Sequence, residues 1–208
     1  MSNQFKTDQE AFWAGNFGDN YIARNAGDLL IASNIALFSK VLERCPETRS
    51  LIEFGANIGL NLRAIRQLRP DVTLDAIEIN AKAVRELESW GGVGKIHHKS
   101  ILEFQPEATW DLVLIKGVLI HIHPEHLPAV YEALYRSSAH YVVIIEYYNP
   151  TPVEIDYRGH SGKLFKRDFA GDMLDRYPDL RLLDYGFVWR RDPVFPQDDS
   201  TWFVLKKT

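Results

Sequence analysis

Glu53-Phe54-Gly55-Ala56-Asn57-Ile58-Gly59 is the stretch on which the reading of the fold turns. It follows a short apolar run, Leu51–Phe54. It opens Leu60–Leu68, where Leu60, Ala64, Ile65 and Leu68 share one helical face until Pro70 ends the pattern. A glycine-bearing turn from strand into helix is where α/β proteins bind nucleotides. Glycine lets the backbone approach a ligand, and the helix start offers unpaired N–H groups. The dinucleotide fingerprint needs glycine at the first, third and sixth positions. Here those are Gly55, Asn57 and Leu60, so that fingerprint is absent.

Outward from the turn, the hydrophobic period switches repeatedly. Val72–Ile79 reads as a strand, Ala81–Trp90 as a helix, Lys95–His98 as a weaker strand and Asp111–Ile115 as a buried strand. Pro124–Tyr135 then reads as a helix and Tyr141–Tyr147 as the clearest strand. This alternation predicts βαβ units and a parallel sheet covered on both faces. The ends differ. Residues 7–44 read as helical, with Leu29–Leu42 amphipathic, and form a cap. Leu180–Arg191 and Thr201–Lys206 read as an antiparallel hairpin at the sheet edge, joined by a loop holding Pro193 and Pro196.

The second strand ends in Ala76-Ile77-Glu78-Ile79-Asn80. Glu78 stands on the order of 20 residues beyond the glycine turn, where a carboxylate accepts bonds from both hydroxyls of a ribose. The plain alternative is a strand–helix turn with Glu78 as a solvated strand end. The turn itself resembles the acidic-x-Gly-x-Gly-x-Gly loop of class I S-adenosylmethionine (SAM) methyltransferases. Asn57 replaces the middle glycine, and Asn visits positive φ more readily than other non-glycine residues. On that resemblance Glu53, Gly55, Asn57, Gly59, Glu78 and Ile79 bind the cofactor. Ser100 and Ile101 occupy the adenine-contact position, and Lys116-Gly117-Val118 faces the methionine part. Ser100 departs from the acidic residue many such enzymes carry there.

His121-Ile122-His123-Pro124-Glu125-His126 offers a rival. It approaches the His-x-His-x-Asp-His pattern of metallo-β-lactamase-type hydrolases, in which zinc takes imidazole ligands. Glu125 replaces the Asp, Pro124 stiffens the loop, and the chain is short for that two-sheet sandwich. The plainer reading is a helix start, with Pro124 in the first turn and Glu125 on the helix dipole. No metal is expected. A zinc hydrolase using His121, His123 and His126 is the alternative enzyme, and a non-catalytic SAM-binding protein the alternative from another class.

Five segments together resemble one group: Trp13–Asp19, Glu53–Gly59, Lys116–Ile122, Glu146–Pro150 and Tyr157–Phe169. They are similar to the small methylases associated with pseudaminic acid biosynthesis, class I SAM-dependent methyltransferases of bacteria. The resemblance spans nearly the whole chain. It implies a Rossmann-like sheet of seven strands, the last antiparallel, within one domain (a cap over 1–45 and a core over 46–208). It also implies SAM as cofactor, S-adenosylhomocysteine (SAH) as product, and a role in surface-sugar pathways.

A parallel sheet holds ligands outside the carboxyl ends of its strands. Glu146, Tyr147, Tyr148 and Asn149 end the fifth strand there. Tyr157, Arg158, His160, Lys163, Lys166 and Arg167 follow in a glycine-rich basic segment that reads as a loop, the plain alternative being a solvated basic helix start paired with Asp168 and Asp172. Such a patch suits a carboxylate or phosphate on a small, sugar-derived acceptor, and Arg adds a bidentate option. Methyl transfer to oxygen or nitrogen needs the acceptor's proton removed. The expected bases are His160 or Glu146, with His121 third. Trp13, Phe17 and Tyr21 are expected either to form a lid or to pack the cap helices.

Composition narrows the field without choosing within it. The chain has 208 residues, 46% of them hydrophobic and 25% charged, which excludes a disordered or fibrous protein. A net charge of −4 argues against a protein that lives on nucleic-acid phosphates. The fourth strand also lacks the Asn/Asp-Pro-Pro-aromatic signature of base amino-methylases. One cysteine, Cys45, forms no internal disulfide and points to a reducing, cytoplasmic setting. The polar Met1–Glu10 stretch shows no signal-peptide core, and Lys116, His121 and His123 interrupt the longest apolar stretch, far short of a membrane span.

Overall fold

The computed structural model describes residues 5–25 and 27–208. The first four residues of the polar N-terminal stretch lie outside them. Three helices come first: α1 (Asp8–Ala14), α2 (Asn16–Arg24) and α3 (Asp28–Glu43). Then follow β1 (Ser50–Phe54), α4 (Leu60–Leu68), β2 (Thr73–Glu78), α5 (Ala81–Trp90), β3 (Ile96–His98) and β4 (Trp110–Lys116). Two short 3-10 turns, Leu119–His121 and Pro124–His126, lead into α6 (Leu127–Ser137) and β5 (Ser138–Glu146). The chain ends with β6 (Val153–Glu154), β7 (Phe165–Lys166), α7 (Phe169–Arg176), β8 (Leu180–Val188) and β9 (Ser200–Lys207).

Seven strands form one sheet in the order β3-β2-β1-β4-β5-β9-β8. The pairs among β1 to β5 are parallel, whereas β9 runs antiparallel to both β5 and β8. The order turns back beside β1: the chain goes from β1 outward to β2 and β3, then returns to β4 on its other side. That reversal opens a crevice at the carboxyl ends of β1 and β4, where doubly wound sheets take their ligands.

Alternation along the strands fills both faces. Ile52 and Phe54 of β1 pack with Val113, Ile115, Leu134 and Met173 under α6 and α7. Leu51 joins Leu112, Leu114, Phe38, Leu62 and Leu87 under α3, α4 and α5. Helices on both faces and a mostly parallel sheet with an antiparallel C-terminal edge match the expected architecture. Among the described residues no helix is long and apolar enough to cross a membrane.

Three features differ from the expectation. The helical segment through residue 45 divides in function: Leu37, Phe38, Val41 and Leu42 of α3 lie in the core against the sheet, while α1 and α2, with Leu30 and Asn34 of α3, border the cavity at its carboxyl end. The basic segment after β5 is less irregular than expected, since β6 and β7 pair as a small antiparallel sheet. Helix α7, which the sequence offered only as the alternative to a loop, starts at Asp168, whose carboxylate accepts from the Gly171 amide (2.8 Å) and caps it.

Candidate active site

The glycine turn adopts the backbone its residue types favour. Gly55, Asn57 and Gly59 all take positive φ, at 77°, 49° and 79°. A side chain at Gly55 would meet Val118 at 2.6 Å, and one at Gly59 would meet Leu87 at 2.6 Å. Asn57 pins the turn from both of its ends. Its side-chain oxygen accepts from the Ile58 amide (2.7 Å), and its own amide donates to Glu78 Oε2 (2.7 Å). The other Glu78 oxygen accepts from the Asn80 amide (2.7 Å). Burial pushes the Glu78 carboxyl up from the ordinary carboxylate range, and the Asn80 and Asn57 amides pull it back.

These groups form one wall of a cavity of about 570 Å³, within the size range of small-molecule and cofactor sites. Of the residues expected on the cofactor, Gly55, Asn57, Glu78, Ile79, Ser100, Ile101, Lys116, Gly117 and Val118 line it. Glu53 and Gly59 do not. Glu53 is fully buried behind the turn and accepts from Asn61 Nδ2 (2.6 Å), so it positions a cavity residue. Its other oxygen has no partner, and burial pushes its pKa up to about 8. Gly59 serves the backbone reversal and the close approach to Leu87.

On the acceptor side the structure sorts the expected residues sharply. His121, Tyr147, Tyr157 and Arg158 line the cavity. Glu146 lies behind it, fully buried, with Oε1 accepting from the Val118 (2.9 Å) and Leu119 (2.8 Å) amides. It braces the turn after β4, and burial raises its pKa to about 7. His160 is exposed, outside the cavity lining, with its ring edge-on to Phe12 (5.1 Å) and Phe17 (5.9 Å). Tyr148 packs against Phe203, and Asn149 folds back on the Thr151 carbonyl (2.6 Å). Lys163 and Lys166 lie over the rings of Phe12 and Tyr147. Arg167 pairs with Asp172 (2.7 Å) beside α7, away from the cavity. Adjacency in sequence made these look like one patch. Only Lys166 lies in the β6–β7 ladder; Tyr157, Arg158, His160 and Lys163 belong to its connecting loop and Arg167 to the approach to α7, so their side chains part to different surfaces.

His121 is held firmly. Its Nδ1 lies 2.6 Å from the Lys163 carbonyl, and its ring packs on Trp13 (4.6 Å) and Tyr157 (4.9 Å). A carbonyl only accepts, so Nδ1 carries the proton and Nε2 keeps its lone pair. Burial pushes the imidazole pKa down to about 4, so the ring is neutral near pH 7. His123 and His126 instead lean on the exposed Glu125 at 3.5 and 3.3 Å. Among the described residues no three His, Cys, Asp or Glu side chains gather at one point. The zinc constellation of the rival reading is therefore not assembled among the described residues.

Sequence reading missed several residues that complete the cavity. Arg190, Gln197 and Asp198 reach it from the β8–β9 connection, Ser200 from the start of β9, Asn80 from the α5 start and Asn34 from α3. Trp13 and Tyr21 line it as expected of a lid, while Phe17 stays outside, between Phe12 (4.0 Å) and Tyr157 (5.8 Å). Nothing in the local sequence around Asp198 signals this position; the edge hairpin delivers it.

No protein-family model and no curated protein matches the sequence. Solved structures do match. Magnesium protoporphyrin IX methyltransferase from Synechocystis PCC 6803, with bound SAH, superposes with a TM-score of 0.71 over 98% of this chain and 100% of that one, at 14% identity. The fold is that of SAM-dependent methyltransferases. A SAM-dependent methyltransferase from Leishmania major gives 0.71 over 97% of this chain and 87% of its own, at 17% identity. The 1,6-didemethyltoxoflavin-N1-methyltransferase of Burkholderia thailandensis, with bound 1,6-didemethyltoxoflavin and SAH, gives 0.69 over 96% and 87%, at 14% identity.

Proposed function

We propose that this protein transfers a methyl group from SAM to a small-molecule acceptor. The observation that carries the reading is the left-handed Gly55–Asn57–Gly59 turn, tied through the Asn57 amide to the Glu78 carboxylate on one cavity wall. The cavity chemistry fits that cofactor. Gly55 leaves a cradle that a side chain would fill against Val118, and each Glu78 oxygen keeps a lone pair for a ribose hydroxyl. Ile101 offers an apolar surface for a purine, beside the Ser100 hydroxyl. SAM, when bound, supplies an electrophilic methyl carbon on its sulfonium. The chain's own part is to align the acceptor with that carbon and exclude water. Trp13 and Tyr21 roof the cavity, and neutral His121 offers Nε2 to an acceptor N–H or O–H. Arg158 on the wall supports an anionic group on the acceptor. The sugar-derived acceptor is implied by the motif resemblance alone.

Calorimetry with SAH tests the reading. The expectation is one site per chain, with affinity falling at least tenfold in Glu78→Ala. Absence of SAH binding by the unaltered protein would refute it. SAH release in the presence of SAM and an acceptor separates an enzyme from a non-catalytic binder.

A further inference from the structure

Arg158 and Asp198 enter the cavity from separate loops, the β6–β7 hairpin and the β8–β9 connection. Among the described residues neither has an ion-pair partner within 4.0 Å. Arg158 sits in a two-residue turn where Tyr157 and His160 exchange backbone bonds of 2.8 and 3.0 Å. Arg158 and Gly159 both take positive φ, 52° and 84°. Such a turn favours Asn-Gly. The Arg158 guanidinium is exposed, lies over the Tyr157 ring (5.9 Å) and borders the cavity, and among the described residues no carboxylate holds it.

Asp198 lines the same cavity as Tyr21, Tyr147 and Lys116, and its charge helps to push both tyrosine hydroxyls up from their ordinary pKa. Arg158 lines that cavity too, and its charge pulls the Tyr21 hydroxyl the other way. Of the other cations that line the cavity, Lys116 feels the charges of Glu53 and Glu146, and Arg190 pairs with Asp199 (3.4 Å). The rings of Trp13, Tyr21, Tyr147 and Tyr157 line the space. Aromatic faces with one carboxylate suit an ammonium, and a guanidinium suits a carboxylate or phosphate.

Building on the methyltransferase reading, we propose that the acceptor is a small amine that also carries an anionic group: Asp198 holds its nitrogen among the tyrosines, and Arg158 holds its carboxylate or phosphate. The ammonium first gives one proton to Asp198, which passes it to water. The freed lone pair then forms the N–C bond as the C–S bond breaks, and the bonding pair stays on sulfur.

Calorimetry on the full chain saturated with SAH tests this with two matched sets. One is tyrosine, tyramine and phloretate; the other is glucosamine-6-phosphate, glucosamine and glucose-6-phosphate. In at least one set, the member with both groups should bind at least tenfold tighter than either relative lacking one. Asp198→Asn should erase the advantage of the amine and leave that of the anion, and Arg158→Gln should do the reverse. Equal binding across both sets overturns the proposal, as does silence from every probe while SAH still binds. A latch is the remaining outcome and also overturns it: both variants weaken SAH alike without changing discrimination. Failure of SAH itself to bind removes the underlying reading instead.

Discussion

Replacing Asn57 by Ala and, separately, by Gly tests whether the turn after β1 is held left-handed by its residue type. Asn57 has φ of 49°, and its side chain accepts from the Ile58 amide at 2.7 Å. Ala loses that hydrogen bond, about 1 kcal/mol, and stands in a conformation costing a Cβ-bearing residue roughly 1–2 kcal/mol, part of which Asn already bears. The net cost of Ala is about 2 kcal/mol. Gly loses the same bond and escapes the strain, but an unfolded chain made more flexible takes back roughly 0.4–1 kcal/mol. Gly should therefore lie within about 1 kcal/mol of the original. At roughly 2–4 °C per kcal/mol for a chain of this size, Ala should melt about 4–8 °C lower and Gly clearly less. Thermal unfolding by circular dichroism reads the melting points. SAH calorimetry should follow the same order, because the Asn57 amide must keep its angle to reach Glu78. If Ala and Gly melt within 1 °C of each other and bind SAH equally, positive φ is not what the turn demands.

Three further outcomes follow from the buried ionisable groups. Glu78→Ala strips the Asn57 and Asn80 amides of a charged acceptor, each bond worth roughly 1.5–3 kcal/mol; a melting point within 1 °C of the original would contradict that bracing. Glu146 has its pKa raised to about 7, against 4.5 when solvated. An acid raised in the folded state burdens that state once the unfolded chain ionises, so the burden grows from pH 4.5 to 7 and then levels. Glu146→Gln should therefore gain on the original protein between pH 5 and 8, by at most about 3 kcal/mol, and retain turnover. Loss of turnover with unchanged SAH affinity would return Glu146 to the chemistry. His121, with its pKa depressed to about 4, favours the fold above the unfolded value of 6.5 and loses that contribution as pH falls towards 4. Its ring signal in NMR should not titrate between pH 5 and 8; a midpoint near 6.5 would show the ring to be solvated.

The cavity wall proposed for the cofactor was legible because one βαβ unit supplies most of it. Glu53 to Asn80 is contiguous, and its helices α4 and α5 have the bounds that periodicity gives, Leu60–Leu68 and Ala81–Trp90. Residue type there reports backbone geometry directly, as at Gly55 and Asn57. The wall proposed for the acceptor was mostly illegible because it is assembled from α1, α2, the β6–β7 hairpin and the β8–β9 connection, elements far apart in the sequence. Sequence proximity grouped Arg158 with Lys163, Lys166 and Arg167, yet the hairpin sends only Arg158 to the cavity. Asp198 carries no local pattern, and its place is fixed by β9 pairing antiparallel to β5. Glu146 misled for a related reason. A carboxylate at a strand's end looks catalytic in sequence, and only the backbone amides of Val118 and Leu119 reveal a brace.

Asn80 joins the two walls, and this makes their coupling testable. Its amide donates to Glu78, and its side-chain oxygen caps α5 by accepting from Lys82 (2.9 Å) and Ala83 (3.0 Å). Its side-chain nitrogen donates to the Trp13 carbonyl (3.2 Å) and to Asp19 (2.9 Å). Gly18 permits that approach, since a side chain there would fall 1.9 Å from the Trp13 carbonyl and 2.9 Å from the Asn80 nitrogen. One side chain thus ties the roof bearing Trp13 and Tyr21 to the strand end bearing Glu78. Asn80→Asp keeps a good helix cap but loses the donor and faces Asp19 with a like charge. Asn80→Ala loses both functions. The aspartate variant should therefore protect α5 from hydrogen exchange as the original does, while exchange in residues 8–24 rises and SAH binding weakens. The alanine variant should loosen α5 as well, by roughly 1 kcal/mol. If the aspartate variant leaves residues 8–24 as protected as before, the roof is held by its aromatic packing on His121 and Tyr157, and the tie through Asn80 adds nothing.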